Sequence, residues 1–188
     1  VARRCRVPRE QPDGGRGLWL REQLRRVTTA RVKIVTYNVN GIKARLPRLL
    51  EYLAEQTPDV VCLQELKATD AQFPHQLILE AGYEAAWKGE HRWNGVAILS
   101  RVGAPVVTRR RLPGDDGDDQ ARYIEAAVSG VLIGCLYLPN GNPRPGPKFD
   151  YKLRWMERLR HRMAAIRAEE VPAIITGDYN VIPTDAKD

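Results

Sequence analysis

Cysteine and histidine are both scarce, with three of each in 188 residues. Cys5, Cys62 and Cys135 are odd in number, far apart and without CxxC spacing, which argues against a zinc ribbon, a thiol nucleophile or a disulfide-built scaffold. Cys62 and Cys135 fall inside apolar runs, where a free thiol acts as a small buried hydrophobe, and this suits a reducing, cytoplasmic setting. His75, His91 and His161 match no ligand spacing. Long apolar runs are missing too: no stretch nears the roughly 18 uninterrupted apolar residues of a membrane helix, so no membrane partner is expected. No obligate protein partner is evident either.

Charge is unevenly spread. Nine arginines against three acids (Glu10, Asp13, Glu22) give residues 1–31 a charge of +6, which leaves +1 of the total +7 for residues 32–188. The high isoelectric point therefore does not by itself establish a nucleic-acid surface. Residues 1–31 lack both lysine and serine and are broken by Pro8, Pro12 and Gly14-Gly15. They read as a basic, disordered extension rather than a transit peptide, which would be serine-rich and poor in acids. Residues 32–188 suit one globular domain.

Regular patterning starts at Val32, with a β run ending at the polar turn Asn38-Val39-Asn40-Gly41. Leu46, Leu49, Leu50 and Leu53 then share one helical face, and Thr57-Pro58-Asp59 stops that helix. Val60-Val61-Cys62-Leu63 reads as a second strand carrying Gln64-Glu65 at its carboxyl end. Further strands are expected at 95–99, 105–108, 123–128 and 131–136, with Ser129-Gly130 as a hairpin turn. A second helix is expected over roughly Asp150 to Glu170, with Met156, Leu159, Met163 and Ile166 on one side and Arg158, Arg160, Arg162 and Arg167 elsewhere. Val171 to Ile175 returns as a strand into Gly177-Asp178. Mixed elements with adjacent antiparallel strands imply a layered α/β sandwich.

The polar residues at the strand ends carry the chemistry. Asn38 and Asn40 leave the first strand, Glu65 the second, and Asp178 and Asn180 the last, and one edge of a sheet is a usual place for a site. Asp178 and Asn180, at i and i+2, point the same way if extended, and Gly177 would let a ligand approach the backbone. Carboxylates and carboxamides without His or Cys form a hard-oxygen donor set, suited to Mg²⁺ or Mn²⁺. The plainer alternative, that Asn and Asp after strands only make turns, explains any one of these residues better than it explains the set. Asp115-Asp116-Gly117-Asp118-Asp119 lacks the ligand alternation of a calcium loop and reads as a polar turn. Arg109-Arg110-Arg111 reads as a solvated run, and His161 as exposed.

Four motifs in order, Tyr37-Asn38-Val39-Asn40-Gly41-Ile42-Lys43-Ala44-Arg45, Leu63-Gln64-Glu65-Leu66-Lys67, Tyr137-Leu138-Pro139-Asn140-Gly141 and Gly177-Asp178-Tyr179-Asn180-Val181-Ile182-Pro183-Thr184-Asp185, resemble the exonuclease III branch of the endonuclease/exonuclease/phosphatase superfamily. The resemblance runs from about Val32 to Asp188. It implies an α/β fold, a layered β-sandwich with flanking helices of the DNase I-like type, incomplete in this chain: residues 32–188 would be the amino-terminal portion of the domain. A carboxyl-terminal segment with a catalytic Asp and a Ser-Asp-His signature is absent, and its strands are expected to leave an apolar sheet face and unpaired edges behind.

The resemblance further implies a Mg²⁺-dependent DNA phosphodiesterase of DNA repair, a 3′ to 5′ exodeoxyribonuclease and abasic-site endonuclease, acting on double-stranded DNA with abasic sites or 3′ ends. By it, Glu65 is the metal ligand and Asn38 stands beside it in the metal shell, which Asp178 and Asn180 complete. Asp178 orients or deprotonates the attacking water, Asn180 holds the phosphate, and Tyr137 brings its hydroxyl to the scissile phosphate. Arg122, Asn140, Asn142, Lys148 and Lys152 contact the sugar-phosphate backbone, an interaction that carries affinity without sequence information. A small-molecule phosphoesterase of the same superfamily and a non-catalytic DNA-binding fragment are the alternatives.

Overall fold

A computed structural model describes residues 31–182. All but the last residue of the basic extension, and Pro183-Thr184-Asp185 of the fourth motif, lie outside the described residues. Eight strands, β1 (Ile34–Asn38), β2 (Val60–Gln64), β3 (Glu84–Lys88), β4 (Val96–Ser100), β5 (Val106–Arg109), β6 (Tyr123–Val128), β7 (Val131–Tyr137) and β8 (Ala173–Asp178), form two four-stranded sheets. The first has the order β1-β2-β4-β3 and the second β5-β6-β7-β8. Three α-helices flank them: α1 (Ile42–Gln56), α2 (His75–Glu80) and α3 (Pro147–Ala168).

Strand alternation explains the layers. In β2, Val61 and Leu63 pack with Leu49 and Leu53 of α1, while Val60 and Cys62 pack with Ile124, Ala126, Ile133 and Cys135 of the second sheet. Both faces of β2 are thus covered, which is why all five of its residues are buried and its sequence is almost wholly apolar. The same parity in β6 turns Ile124, Ala126 and Val128 toward the first sheet and leaves Tyr123, Glu125 and Ala127 for the side where α3 packs. The result is helix, sheet, sheet, helix, with an apolar cluster between the two sheets. Cys62 and Cys135 are buried free thiols at that interface.

The helix face of α3 differs from the sequence expectation. Its buried residues are Trp155, Leu159, Arg162 and Ile166, whereas Met156 and Met163 are 39% and 46% exposed. Arg162 is buried because Glu125 waits for it on β6: Nε and Nη2 of Arg162 donate to the two carboxylate oxygens of Glu125, each at 2.9 Å. Tyr123 and Thr108 donate their hydroxyls to the same carboxylate at 2.7 Å, so its lone pairs are filled. The three-arginine run is also less solvated than expected, since Arg109 approaches Glu125, Arg110 donates to the Trp87 carbonyl and Arg111 pairs with Asp116. The acidic turn is a turn, as expected, and Asp118 fastens it to α3 by accepting from Tyr151 and Arg158. His161 is exposed.

Two elements escaped the sequence reading. The strand β3 carries a lysine, a glutamate and two alanines rather than β-branched residues, and α2 is only six residues long. Of the strands at the sheet edges, β1 exposes Thr36 and Tyr37, and β8 exposes Ile174 and is otherwise half-buried.

Replacing Glu125 with alanine would strand a guanidinium in the layer between β6 and α3. The expected loss is about 3–5 kcal/mol of unfolding free energy, measured as a lowered urea midpoint with an unchanged slope. A loss no larger than the ~1 kcal/mol of an exposed pair would refute the buried bidentate geometry.

Candidate active site

Parallel pairing within each sheet creates the site. The strands β1 and β2 run parallel in register from Ile34↔Val60 to Asn38↔Gln64, and β7 and β8 run parallel from Leu132↔Ala173 to Tyr137↔Asp178. Four carboxyl ends therefore come together, two from each sheet, with Asn38, Glu65, Tyr137 and Asp178 at or just past them. The backbone ladder continues beyond β1 and β2 as Val39 and Gly41 donate to the Gln64 and Glu65 carbonyls and Ile42 donates to that of Leu66. The start of α1 is thereby pinned to the segment that presents Glu65.

Side-chain hydrogen bonds join the four residues across the sheets. The Asn38 amide nitrogen donates to Glu65 Oε1 and to Asp178 Oδ2, each at 2.9 Å, and the Tyr137 hydroxyl donates to Glu65 Oε1 at 2.9 Å. Asn38 Oδ1 is turned toward the Asn40 backbone N–H, so in this geometry Asn38 bridges two carboxylates with its nitrogen. Lys67 Nζ lies 2.9 Å from Glu65 Oε2 and also donates to Asn40 Oδ1. Burial pushes the Glu65 carboxyl up, but the donors Asn38, Lys67 and Tyr137 and the Lys67 charge outweigh it, so its pKa falls below the usual range. Burial first, then the hydrogen bond to Glu65 and its charge, push the Tyr137 phenol up to about 12. Tyr137 is thus a neutral donor at physiological pH.

Asp178 has its other oxygen held by the Asn180 N–H at 2.9 Å. The Asn180 side chain donates to the Leu138 carbonyl at 2.8 Å, which puts its amide nitrogen against β7 rather than against Asp178. Gly177 serves a purpose other than ligand approach: an added Cβ would stand 2.0 Å from the Leu136 carbonyl oxygen, so the glycine allows β8 to lie against β7. Arg122 packs 5.0 Å over the Tyr137 ring and donates to the Tyr137 carbonyl, a cation–π contact on the residue that reaches Glu65. Lys152 donates to the carbonyls of Asn140 and Asn180, tying the 140 loop to the chain after β8. Asn140 and Asn142 are exposed and joined by an Asx-type hydrogen bond, and Lys148 is exposed on the first turn of α3.

Lys67 was quoted in a sequence motif but given no role there. Its signal in the sequence is the spacing Glu65-x-Lys67 after an apolar run; the structure adds positive φ at both residues, 55° and 49°, a rare backbone state for non-glycine residues.

A model of the endonuclease/exonuclease/phosphatase family matches residues 35–187. The chain belongs to that family. Its likenesses fall in the exonuclease III branch. Exodeoxyribonuclease III of Haemophilus influenzae is 32% identical over 160 residues, covering 82% of this chain and 59% of the relative. A 3′-5′ exonuclease (NExo) from Neisseria meningitidis superposes with a TM-score of 0.78 at 38% identity, over 82% of this chain and 60% of that one. An AP endonuclease from Archaeoglobus fulgidus gives 0.75 at 34%, over 82% and 59%. This member of the endonuclease/exonuclease/phosphatase family therefore spans about three-fifths of the length of these relatives, and the two-sheet fold with flanking helices is the one they share.

A raised phenol pKa makes Tyr137 stabilise the fold fully below pH 10, its ordinary value, and lose that contribution as pH rises through about 12. Urea midpoints are expected to fall more steeply from pH 10 to 12 for the wild type than for Tyr137→Phe. Parallel curves would mean that folding does not raise the phenol pKa.

Proposed function

We propose that this chain carries the phosphate-attacking part of a Mg²⁺-dependent DNA repair nuclease, a 3′ to 5′ exodeoxyribonuclease and abasic-site endonuclease working in the cytoplasm on double-stranded DNA. The observation that supports this most is the hydrogen-bonded set Asn38, Glu65, Tyr137 and Asp178, drawn from both sheets onto one edge. The donor chemistry fits a hard divalent ion. Two carboxylates share one amide, and among the described residues no three His, Cys, Asp or Glu side chains are placed to hold a metal ion together, so water and phosphate oxygens would complete the shell, as Mg²⁺ favours. Mn²⁺ would fit the same oxygens.

Glu65 would hold the ion, with Asn38 fixing the rotamers of Glu65 and Asp178 together. A bound Mg²⁺ would supply charge neutralisation on the phosphoryl oxygens. Asp178, oriented by Asn38 and by the Asn180 N–H, would align a water and accept its proton. Tyr137, a neutral phenol, would turn its one O–H from Glu65 to a phosphate oxygen, a donor of the kind that stabilises developing charge. Asn180 would act beside Asp178 on the phosphate. Arg122 just before β6, Asn140 and Asn142 in the loop after β7, and Lys148 and Lys152 at the start of α3 would meet the DNA backbone. Arg122 and Lys152 would do so while already bound to carbonyls, so their contribution includes shaping the loop.

The test is cleavage of abasic and 3′-recessed duplexes by the whole protein with Mg²⁺. Removing one preorganised electrostatic group typically costs about 10²–10³-fold in kcat, and Glu65→Ala and Asp178→Asn should each lose at least that. Activity indifferent to both substitutions, or a protein that hydrolyses only small phosphoesters, would overturn the proposal.

A further inference from the structure

We infer that Lys67 is a tethered cation that holds the Glu65 carboxylate in place and lowers the affinity of the site for a divalent ion. This rests on the reading of Glu65 as a metal ligand, and it adds a residue that the four-motif resemblance leaves without a task. Glu65 is surrounded: Oε1 accepts from Asn38 and Tyr137, and Oε2 faces Lys67 Nζ at 2.9 Å. The ammonium cannot drift away freely, because Asn40 Oδ1 accepts from it on another side and the backbone beneath it is fixed. The Lys67 N–H donates to the Asn94 carbonyl and that of Leu66 to the Gly95 carbonyl.

Three non-glycine residues in left-handed conformation, Asn40, Glu65 and Lys67, with φ of 45°, 55° and 49°, meet through this one ammonium. Such backbone outliers persist only where the surroundings hold them, and they cluster at functional sites. Asn40 thereby acquires a role as the second anchor of Lys67. With its side chain 30% exposed, Lys67 is not needed to fill the core, so charge rather than volume is its contribution.

Any divalent ion on Glu65 binds beside this fixed positive charge. In a water-like dielectric, a +2 and a +1 charge about 5 Å apart repel enough to weaken binding by about tenfold. Lys67 is accordingly a positioning residue, trading affinity for a carboxylate that stays oriented as ions exchange.

Mn²⁺ binding to the purified chain, followed by titration calorimetry and by the loss of the free-ion paramagnetic resonance signal, tests this without any turnover. Lys67→Met is expected to bind Mn²⁺ about tenfold more tightly, and Lys67→Arg, which keeps the charge, to bind as the wild type does. Circular dichroism checks that each variant is folded, and the Arg variant keeps the comparison available if the Met variant is not. Unchanged or weaker binding by Lys67→Met, or tighter binding by Lys67→Arg, overturns the inference while leaving the metal site intact. Loss of Mn²⁺ binding in Glu65→Gln supports the underlying reading; a wild type that binds no Mn²⁺, or a Glu65→Gln variant that binds it normally, overturns that reading and this inference with it.

Discussion

Asn38 sets one amide nitrogen between a carboxylate from the first sheet and a carboxylate from the second, 2.9 Å from each. Two anionic groups at that separation repel each other, and a shared donor is what allows them to face one point. The arrangement holds only if the ends of β1, β2, β7 and β8 arrive together, which in turn requires both sheets to place a parallel pair along the same side of the sandwich. The inter-sheet core of Val60, Cys62, Ile124, Ala126 and Cys135 fixes that alignment. Packing between the sheets and chemistry at their edge are therefore one constraint seen at two depths.

The sequence showed the first part of this clearly and the second part poorly. Strands such as Val60–Gln64, Tyr123–Val128 and Val131–Tyr137 were legible because β-branched and apolar runs bounded by turn residues have few other uses. The strand ends then pointed to Asn38, Glu65 and Asp178, since polar residues that follow buried strands must face either a turn or a site. What the sequence hid was partnership. Arg162 looked like surface and Met156 and Met163 looked like core, because periodicity sees polarity but not Glu125 waiting on another strand. Gly177 looked like room for a ligand and is instead room for the Leu136 carbonyl. Short or alanine-rich elements, α2 and β3, carried too little pattern to register at all.

Basic residues illustrate the same limit from the functional side. Arg122 and Lys152 stand among the motifs as free cations would, yet each is engaged, Arg122 over the Tyr137 ring and Lys152 between the Asn140 and Asn180 carbonyls. A guanidinium above a phenol raises the value of that phenol as a donor, and an ammonium across two loop carbonyls sets the shape a backbone would meet. Their positive charge still adds to the local potential. It does so from fixed positions, and a preorganised cation loses less entropy on binding a phosphate than a mobile one.

Charge counting then explains why the proposed chemistry calls for a divalent ion at this edge. Glu65 and Asp178 bring two negative charges, against the two positive ones of Lys67 beside Glu65 and Arg122 over the Tyr137 ring, and Tyr137 is a neutral phenol. A phosphodiester is an anion, so it gains little by approaching a balanced cluster whose inner members are carboxylates. Added positive charge on Glu65 would reverse that balance and draw the phosphate toward Glu65, leaving Asp178 free to serve water. The two carboxylates can take different roles because their neighbours differ: Glu65 has a lysine and a phenol, while among the described residues Asp178 accepts from the amides of Asn38 and the Asn180 backbone.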